Sequence, residues 1–414
     1  MHPAKLALAA VVIVDMMGQG LALPIFATLL TDPAAGFLQP AMARRAGAFD
    51  YSLLIGLFFL AWFLGVVFVS RLSDAIGRKR GLLVCLTGLM TGYGLTLLAM
   101  AIDSFPLLVL ARCIAGFTAG TQPIAQAAMV ELSADEAEKG RNMGLVVLGG
   151  SLGLMVGPII GGTFSDPDIV GSIASLWLPF AIGGGLTLLA IALVLAFFRE
   201  GPGERIAFTF RPFDVVGLLL ELRHFPAALR ISAVYFFFMV TLNVAFVFMA
   251  TYLSGRFGMS ATGTSIGLLV FGTVTAATSA LLVGPVQARL SRLVIVLMGT
   301  VGMAAASLIF VATASALVAY AALGLLGLSF GLGYPMLLAM YSASVEATRQ
   351  GWIMGVSAAL FTLGAGLASL LSGELMALGQ RTPFYLGAAS AGVALLLLAL
   401  LWQTPRLRTL AGSA

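Results

Sequence analysis

Residues 178–198 read LPFAIGGGLTLLAIALVLAFF, 21 residues with no charge and a single hydroxyl. Runs of this kind recur along the whole chain, and nothing else constrains its fold as tightly. An apolar helix of about 20 residues rises about 30 Å, the thickness of a bilayer's hydrocarbon layer. The runs do not alternate apolar with polar residues, so they do not read as the strands of a barrel. Lipid offers no partner to backbone amides and carbonyls, so each run must satisfy its own as a helix. The composition agrees. It is 60% hydrophobic and 9% charged, whereas soluble domains carry about 25% charged residues. The chain reads as an all-α integral membrane protein.

Twelve spans can be drawn, at 5–29, 49–71, 81–102, 105–130, 142–165, 172–198, 230–254, 262–285, 292–313, 315–341, 350–377 and 382–403. The first is too long, and interrupted by Asp15, to read as a cleaved signal peptide. Lys and Arg mark the cytoplasmic side of a membrane protein. With the N-terminus inside, 17 of the 22 basic residues fall on inside segments, four (Arg44, Arg45, Arg256 and Arg381) fall outside, and Arg112 lies within a span. Both termini are therefore expected in the cytoplasm. This also explains the net charge of +5 without nucleic acid as a partner. The longest polar stretch, 199–229, includes PFDVVGLLLELRH, whose apolar spacing predicts a short surface helix. It divides the chain into an N-terminal six-helix bundle at 1–198 and a C-terminal one at 230–414. The halves rhyme weakly, VSRLSDAIGRKR after the second span against VGPVQARLSRL after the eighth. Such repeats suit a transporter whose substrate lies between two bundles.

The few polar residues in the spans carry the chemistry. Asp15 lies about ten residues into the first span, roughly 15 Å along a helix, and is the one acid clearly central in any span; Asp50, Glu131 and Glu374 fall near span ends. Burial favours the neutral form of a carboxyl, so a carboxyl at this depth can bind and release a proton. Arg112 is the single charge of the fourth span, and an arginine at that depth faces a cavity or a partner. The helix ends place it nearer the outside than Asp15. In SRLSDAIGRKRGLL, Asp74, Gly77, Arg78 and Lys79 form a tight turn with an acid before it and bases after, and Asp74 is placed to accept from a helix N-terminus. The most unusual stretch is LGGSLGLMVGPIIGG at 148–162. Gly149, Gly153, Gly157 and Gly161 recur every fourth residue, with Pro158 and Gly162 beside them. Glycine on one helix face admits a partner helix closely. The eighth span, with Gly263, Gly267, Gly272 and Ser279, is the expected partner, and the seam is expected to act as a hinge. Gln19, Gln122, Gln126, Tyr235, Asn243, Tyr334 and Tyr341 are candidate substrate contacts, a mixture suited to an amphiphilic organic molecule.

These motifs resemble the major facilitator superfamily. Leu72, Asp74, Gly77, Arg78 and Lys79 match the family's loop between spans two and three. Ser70 replaces its usual Gly, and Ala75 its usual Arg. In the second half Gly284 and Arg292 match, while Ala288 replaces the acid. Arg112, Gly116 and Gly120 look like the family's fourth-span pattern, whose Arg lies near the proton-coupling site. Asp15, Gly18, Gly20 and Pro24 resemble the first span of tetracycline exporters and related drug/proton antiporters. Gly153, Gly157, Pro158, Gly161 and Gly162 match the fifth-span motif typical of exporters. The resemblance implies a proton-coupled exporter in the inner membrane, monomeric, with Asp15 and Arg112 coupling protons, Asp74 to Lys79 forming a conformational switch, and no cofactor or metal. A dedicated siderophore or metabolite exporter of the same fold is the alternative, followed by a facilitator or importer. A membrane enzyme is the least favoured reading. It would need paired acids or a His-based metal site, whereas His2 and His224 lack such company and Cys85 and Cys113 sit in apolar runs.

Overall fold

The computed structural model describes residues 3–38, 40–134, 136–199, 214–346 and 349–401. These residues contain helices and no strand. Twelve helices are long and apolar enough to cross a membrane. They are Pro3–Thr31, Phe49–Ile76, Arg78–Ala101, Phe105–Glu131, Leu148–Ser165, Leu178–Phe197, Pro226–Phe257, Thr262–Gln287, Arg292–Ala312, Ala316–Ser344, Trp352–Leu378 and Thr382–Leu400, called here the first to twelfth spans. The sixth starts later than its apolar run. Asp166 caps a short helix, Pro167–Val170, by accepting from the Asp168 amide, and a 3-10 turn follows at Gly171–Ile173. The long helix then begins with a proline in its first turn, where the missing amide costs nothing.

Two spans depart from regular helix. The fourth consists of Phe105–Phe117 and Thr121–Glu131, unwound at Thr118 to Gly120. The eighth carries a π turn at Thr278–Leu282 between Ala261–Ala277 and Val283–Gln287. Ahead of the seventh span, Asp214–Leu220 is helical and Glu221–His224 forms a 3-10 turn. Residues 200–213 of the predicted linker lie outside the described residues.

The chain forms two compact units. One comprises Met1–Asp214 and Met259–Ile266, the other Val215–Gly258 and Gly267–Ala414. In the first unit, span one packs on spans five and six, span four on spans two and three, and span three on span six. In the second, span seven packs on spans eleven and twelve, span ten on spans eight and nine, and span nine on span twelve. Adding six to each number in the first unit gives the pairing of the second. The weak rhyme between the halves is therefore a repeated packing plan. In their most apolar 18-residue stretches, 78% of the seventh span's residues are buried and 22% of the eighth's, so the seventh forms much of the core of its unit.

Within the first unit the glycine stripe lies along the first span. A side chain at Gly153 would strike the Ile13 carbonyl, one at Gly157 the Met17 carbonyl and, at 2.8 Å, the Leu21 amide, and one at Gly161 the Leu21 carbonyl at 3.0 Å. Ile13, Met17 and Leu21 advance by four residues as the glycines do, so backbone meets backbone turn for turn along the first span. Gly20 of that span returns the fit, with a Cβ there falling 2.7 Å from Pro158 Cδ. Only Gly162 faces the start of the eighth span, where Thr262 Oγ1 donates to the Gly162 carbonyl at 3.2 Å and to Asp166 Oδ2 at 2.5 Å. Gly267 instead meets Met249, Leu253 and Leu323 of the second unit, and Gly272 meets nothing within 4 Å. Contact this close supplies dispersion and Cα–H···O attraction, which hold helices together where lipid removes the hydrophobic drive.

Candidate functional site

The fixed first span carries Asp15 into the interior of the first unit, where it is 4% exposed. Thr121 donates its hydroxyl to Asp15 Oδ2. Thr121 can do so because the fourth span breaks just before it, with the Gly120 amide bonding to the Thr118 carbonyl at 2.8 Å. The unwound residues turn a threonine at the head of the next helix toward the carboxyl.

Arg112, on the other side of the break, is 8% exposed. Its guanidinium lies 3.9 Å from the centroid of the Phe58 ring and 5.3 Å from that of Phe26. A desolvated cation over an aromatic face gains about 2 kcal/mol, well short of what burying a lone charge costs. No ion pair joins Arg112 to Asp15, and Arg112 Nε has no hydrogen-bond partner. Yet both residues line one narrow cavity, together with Gln19, Tyr93, Phe58 and Phe180. It has room for about one water. The structure thus brings three of the sequence candidates, Asp15, Arg112 and Gln19, to one place.

The other candidate contacts are elsewhere. Gln122 and Gln126 are half-buried on the second half of the fourth span and do not line this cavity. Tyr235, Tyr341 and Asn243 are core residues of the second unit, each no more than 1% exposed. The rings of Tyr235 and Tyr341 meet edge to face at 5.3 Å, Tyr341 donates to Ser232 Oγ at 2.9 Å, and Asn243 donates to the Phe361 carbonyl at 3.4 Å. These three side chains lie within the core of the second unit and do not line the cavity of Asp15 and Arg112. Tyr334 is half-buried, its ring 6.4 Å from that of Tyr235.

The Asp74–Lys79 motif forms a second polar centre. Gly77 adopts φ 99°, a left-handed conformation that suits a residue without a Cβ, and the chain turns there from the second span into the third. Arg78 then reaches back to Asp74, donates from Nη1 to Ser73 Oγ at 2.9 Å and from Nε to Glu131 Oε1 at 2.9 Å. Asp74 is held by this arginine rather than by helix amides. Lys79 Nζ donates to the Leu195 carbonyl at 3.0 Å, near the end of the sixth span, where a cation meets unsatisfied carbonyls. One loop therefore ties together spans two, three, four and six. Glu131 was not expected here. Its place at the end of the fourth span, level with the basic loop, was the available signal. Arg71 pairs with Asp214 and Lys5 with Glu138, so the first unit's remaining described ion pairs also lie near span ends. Among the described residues, no three His, Cys, Asp or Glu side chains cluster as metal ligands.

Twelve apolar helices in a repeated six-span packing plan, with a buried carboxyl and a buried arginine lining one cavity, define a multi-pass membrane protein. The chain belongs to the Major Facilitator Superfamily, whose family profile matches residues 6–357 and 231–413. It is similar to the class C tetracycline resistance protein of Escherichia coli, with 29% identity over 376 residues, covering 90% of this chain and 89% of that protein. It is also similar to the class D tetracycline resistance protein of Salmonella ordonez, with 28% identity over 407 residues and 97% and 98% coverage. Its fold matches the crystal structure of the human organic anion transporter MFSD10 (TETRAN) with a TM-score of 0.71 at 20% identity, over 96% of this chain and 99% of that one.

Proposed function

We propose that this protein is a proton-coupled exporter of amphiphilic small organic molecules, an antiporter of the drug type. It works by alternating access as a monomer in the inner membrane, with both termini in the cytoplasm, residues 1–198 and 230–414 as its two bundles and 199–229 as the linker. The observation that carries this reading is Asp15, a carboxyl buried deep in a span and lining a cavity with Arg112. A carboxyl alternately exposed to the two sides of a membrane can take a proton outside and lose it inside. Proton and substrate then need only favour opposite charge states of one group for the two fluxes to be coupled. Similarity to tetracycline resistance proteins over nearly the whole chain supports export of a drug-like molecule, and the bias of basic residues supports the orientation.

The test is purified protein in liposomes under an imposed pH gradient, with tetracyclines, dyes and siderophores tried in turn and proton release recorded on substrate addition. Wild type is expected to exchange protons for at least one of them. Asp15→Asn is expected to lose proton-coupled transport while remaining folded. Wild-type exchange by that variant, or exchange driven by a sodium gradient alone, overturns the reading.

A further inference from the structure

Asp15 and Arg112 face one cavity without touching, which leaves open how the fixed charge of one is felt by the other. Tyr93 of the third span lines the same cavity. It is 5% exposed, and its hydroxyl has no hydrogen-bond partner. Two glycines clear the space around that hydroxyl. A Cβ at Gly18 of the first span would fall 2.5 Å from it, and one at Gly183 of the sixth span 3.0 Å. The ring is held besides by Phe180, at 6.3 Å between centroids. Tyr93 and Arg112 both line a cavity with room for about one water, and each has a buried polar atom without a partner, the Tyr93 hydroxyl and Arg112 Nε, which is the setting in which a bound water bridges.

We infer that Tyr93 is a positioning residue that holds a water between Arg112 and Asp15, and that this water transmits the charge of Arg112 to the carboxyl. The water accepts from Tyr93 Oη and Arg112 Nε and donates toward Asp15, whose Oδ2 already accepts from Thr121. The other titratable groups close by are Tyr51 of the second span and Cys113 of the fourth, near Arg112, and Cys85 of the third, near Asp15. The sixth span contributes only Phe180 and Gly183, neither of which titrates. The water favours the ionised carboxylate, so it sets the pH at which Asp15 gives up its proton.

This inference rests on the reading of Asp15 as the proton carrier, and the test separates the two. Infrared difference spectra of the full-length protein in liposomes, recorded against pH, isolate the carboxyl band that Asp15→Asn removes. Tyr93→Phe keeps the ring and deletes the hydroxyl. Its band is expected to titrate about 1 pH unit higher, a tenfold tighter hold on the proton, with thermal stability unchanged. Gly18→Ala, which crowds the hydroxyl, is expected to shift the band in the same direction. Gly185→Ala, one helix position beyond the packed face and facing open space, is expected to leave it alone. If Asp15→Asn removes no titrating band, the proton-carrier reading fails. If the band is present but neither Tyr93→Phe nor Gly18→Ala moves its midpoint, the bridging water is wrong and the reading of Asp15 stands.

Discussion

At the scale of single residues, the site is expensive to fold. Arg112 is buried, stacked on Phe58, and has no acid to neutralise it. Replacing a poorly compensated buried charge with an apolar side chain of similar size is often neutral or stabilising. Arg112→Met is therefore expected to unfold in detergent at the wild-type temperature or above it, while losing coupled transport. A fall of more than about 5 °C, which corresponds to roughly 4 kcal/mol of stability in a protein of this size, would show that the arginine is structural. The sequence marks Arg112 and Asp15 well, because a charge in an apolar run has no ordinary explanation there. It does not mark Thr121 or Tyr93. A threonine and a tyrosine in a membrane span are common, and only the break in the fourth span and the gaps at Gly18 and Gly183 give these two hydroxyls their places.

At the scale of elements, the contact between the first and fifth spans decides where the carboxyl sits. Gly153 and Gly157 let the fifth span lie directly on the backbone of residues 13–21, and Asp15 is part of that segment. Gly157→Leu must push against the Met17 carbonyl and the Leu21 amide, neither of which can rotate away. Overpacking of this kind costs about 3 kcal/mol, so the variant is expected to lose thermal stability and transport together. Gly185→Ala serves as the control, since its Cβ enters open space and alanine is the better helix former. Equal stability of Gly157→Leu and wild type would show that the two helices separate without penalty. The periodicity of the stripe predicts close helix packing, and the structure has it. The partner was not legible, because small residues fit any partner that is also close. The match of Ile13, Met17 and Leu21 to the glycines, turn for turn, is a property of two helices already aligned.

At the scale of the whole molecule, the loop between the second and third spans joins four helices of the first unit through Arg78 and Lys79. A node of this kind is expected to affect how easily the helices shift against one another. Asp74→Asn keeps an oxygen that can accept from Arg78 but removes the negative charge of this partly exposed pair, worth about 1 kcal/mol, and leaves Ser73 and Glu131 in place. Substrate affinity is expected to hold while the transport rate changes by about fivefold. An unchanged rate, measured as initial efflux from liposomes, would count against a role for this node in cycling.

The sequence by itself determined that the chain lives in lipid as twelve helices, because apolar length and the need to satisfy backbone groups leave no other solution. It also singled out the ionisable groups that lipid makes costly. Tertiary structure alone decided which of those groups meet. Asp15 and Arg112 share a cavity without pairing, Glu131 joins Arg78, and Tyr235, Tyr341 and Asn243 withdraw into the core of their unit. The reason is that depth along a helix can be counted from sequence. The direction a side chain faces depends on how the helix is rotated and broken against its neighbours, and here glycines and one unwound turn set that rotation.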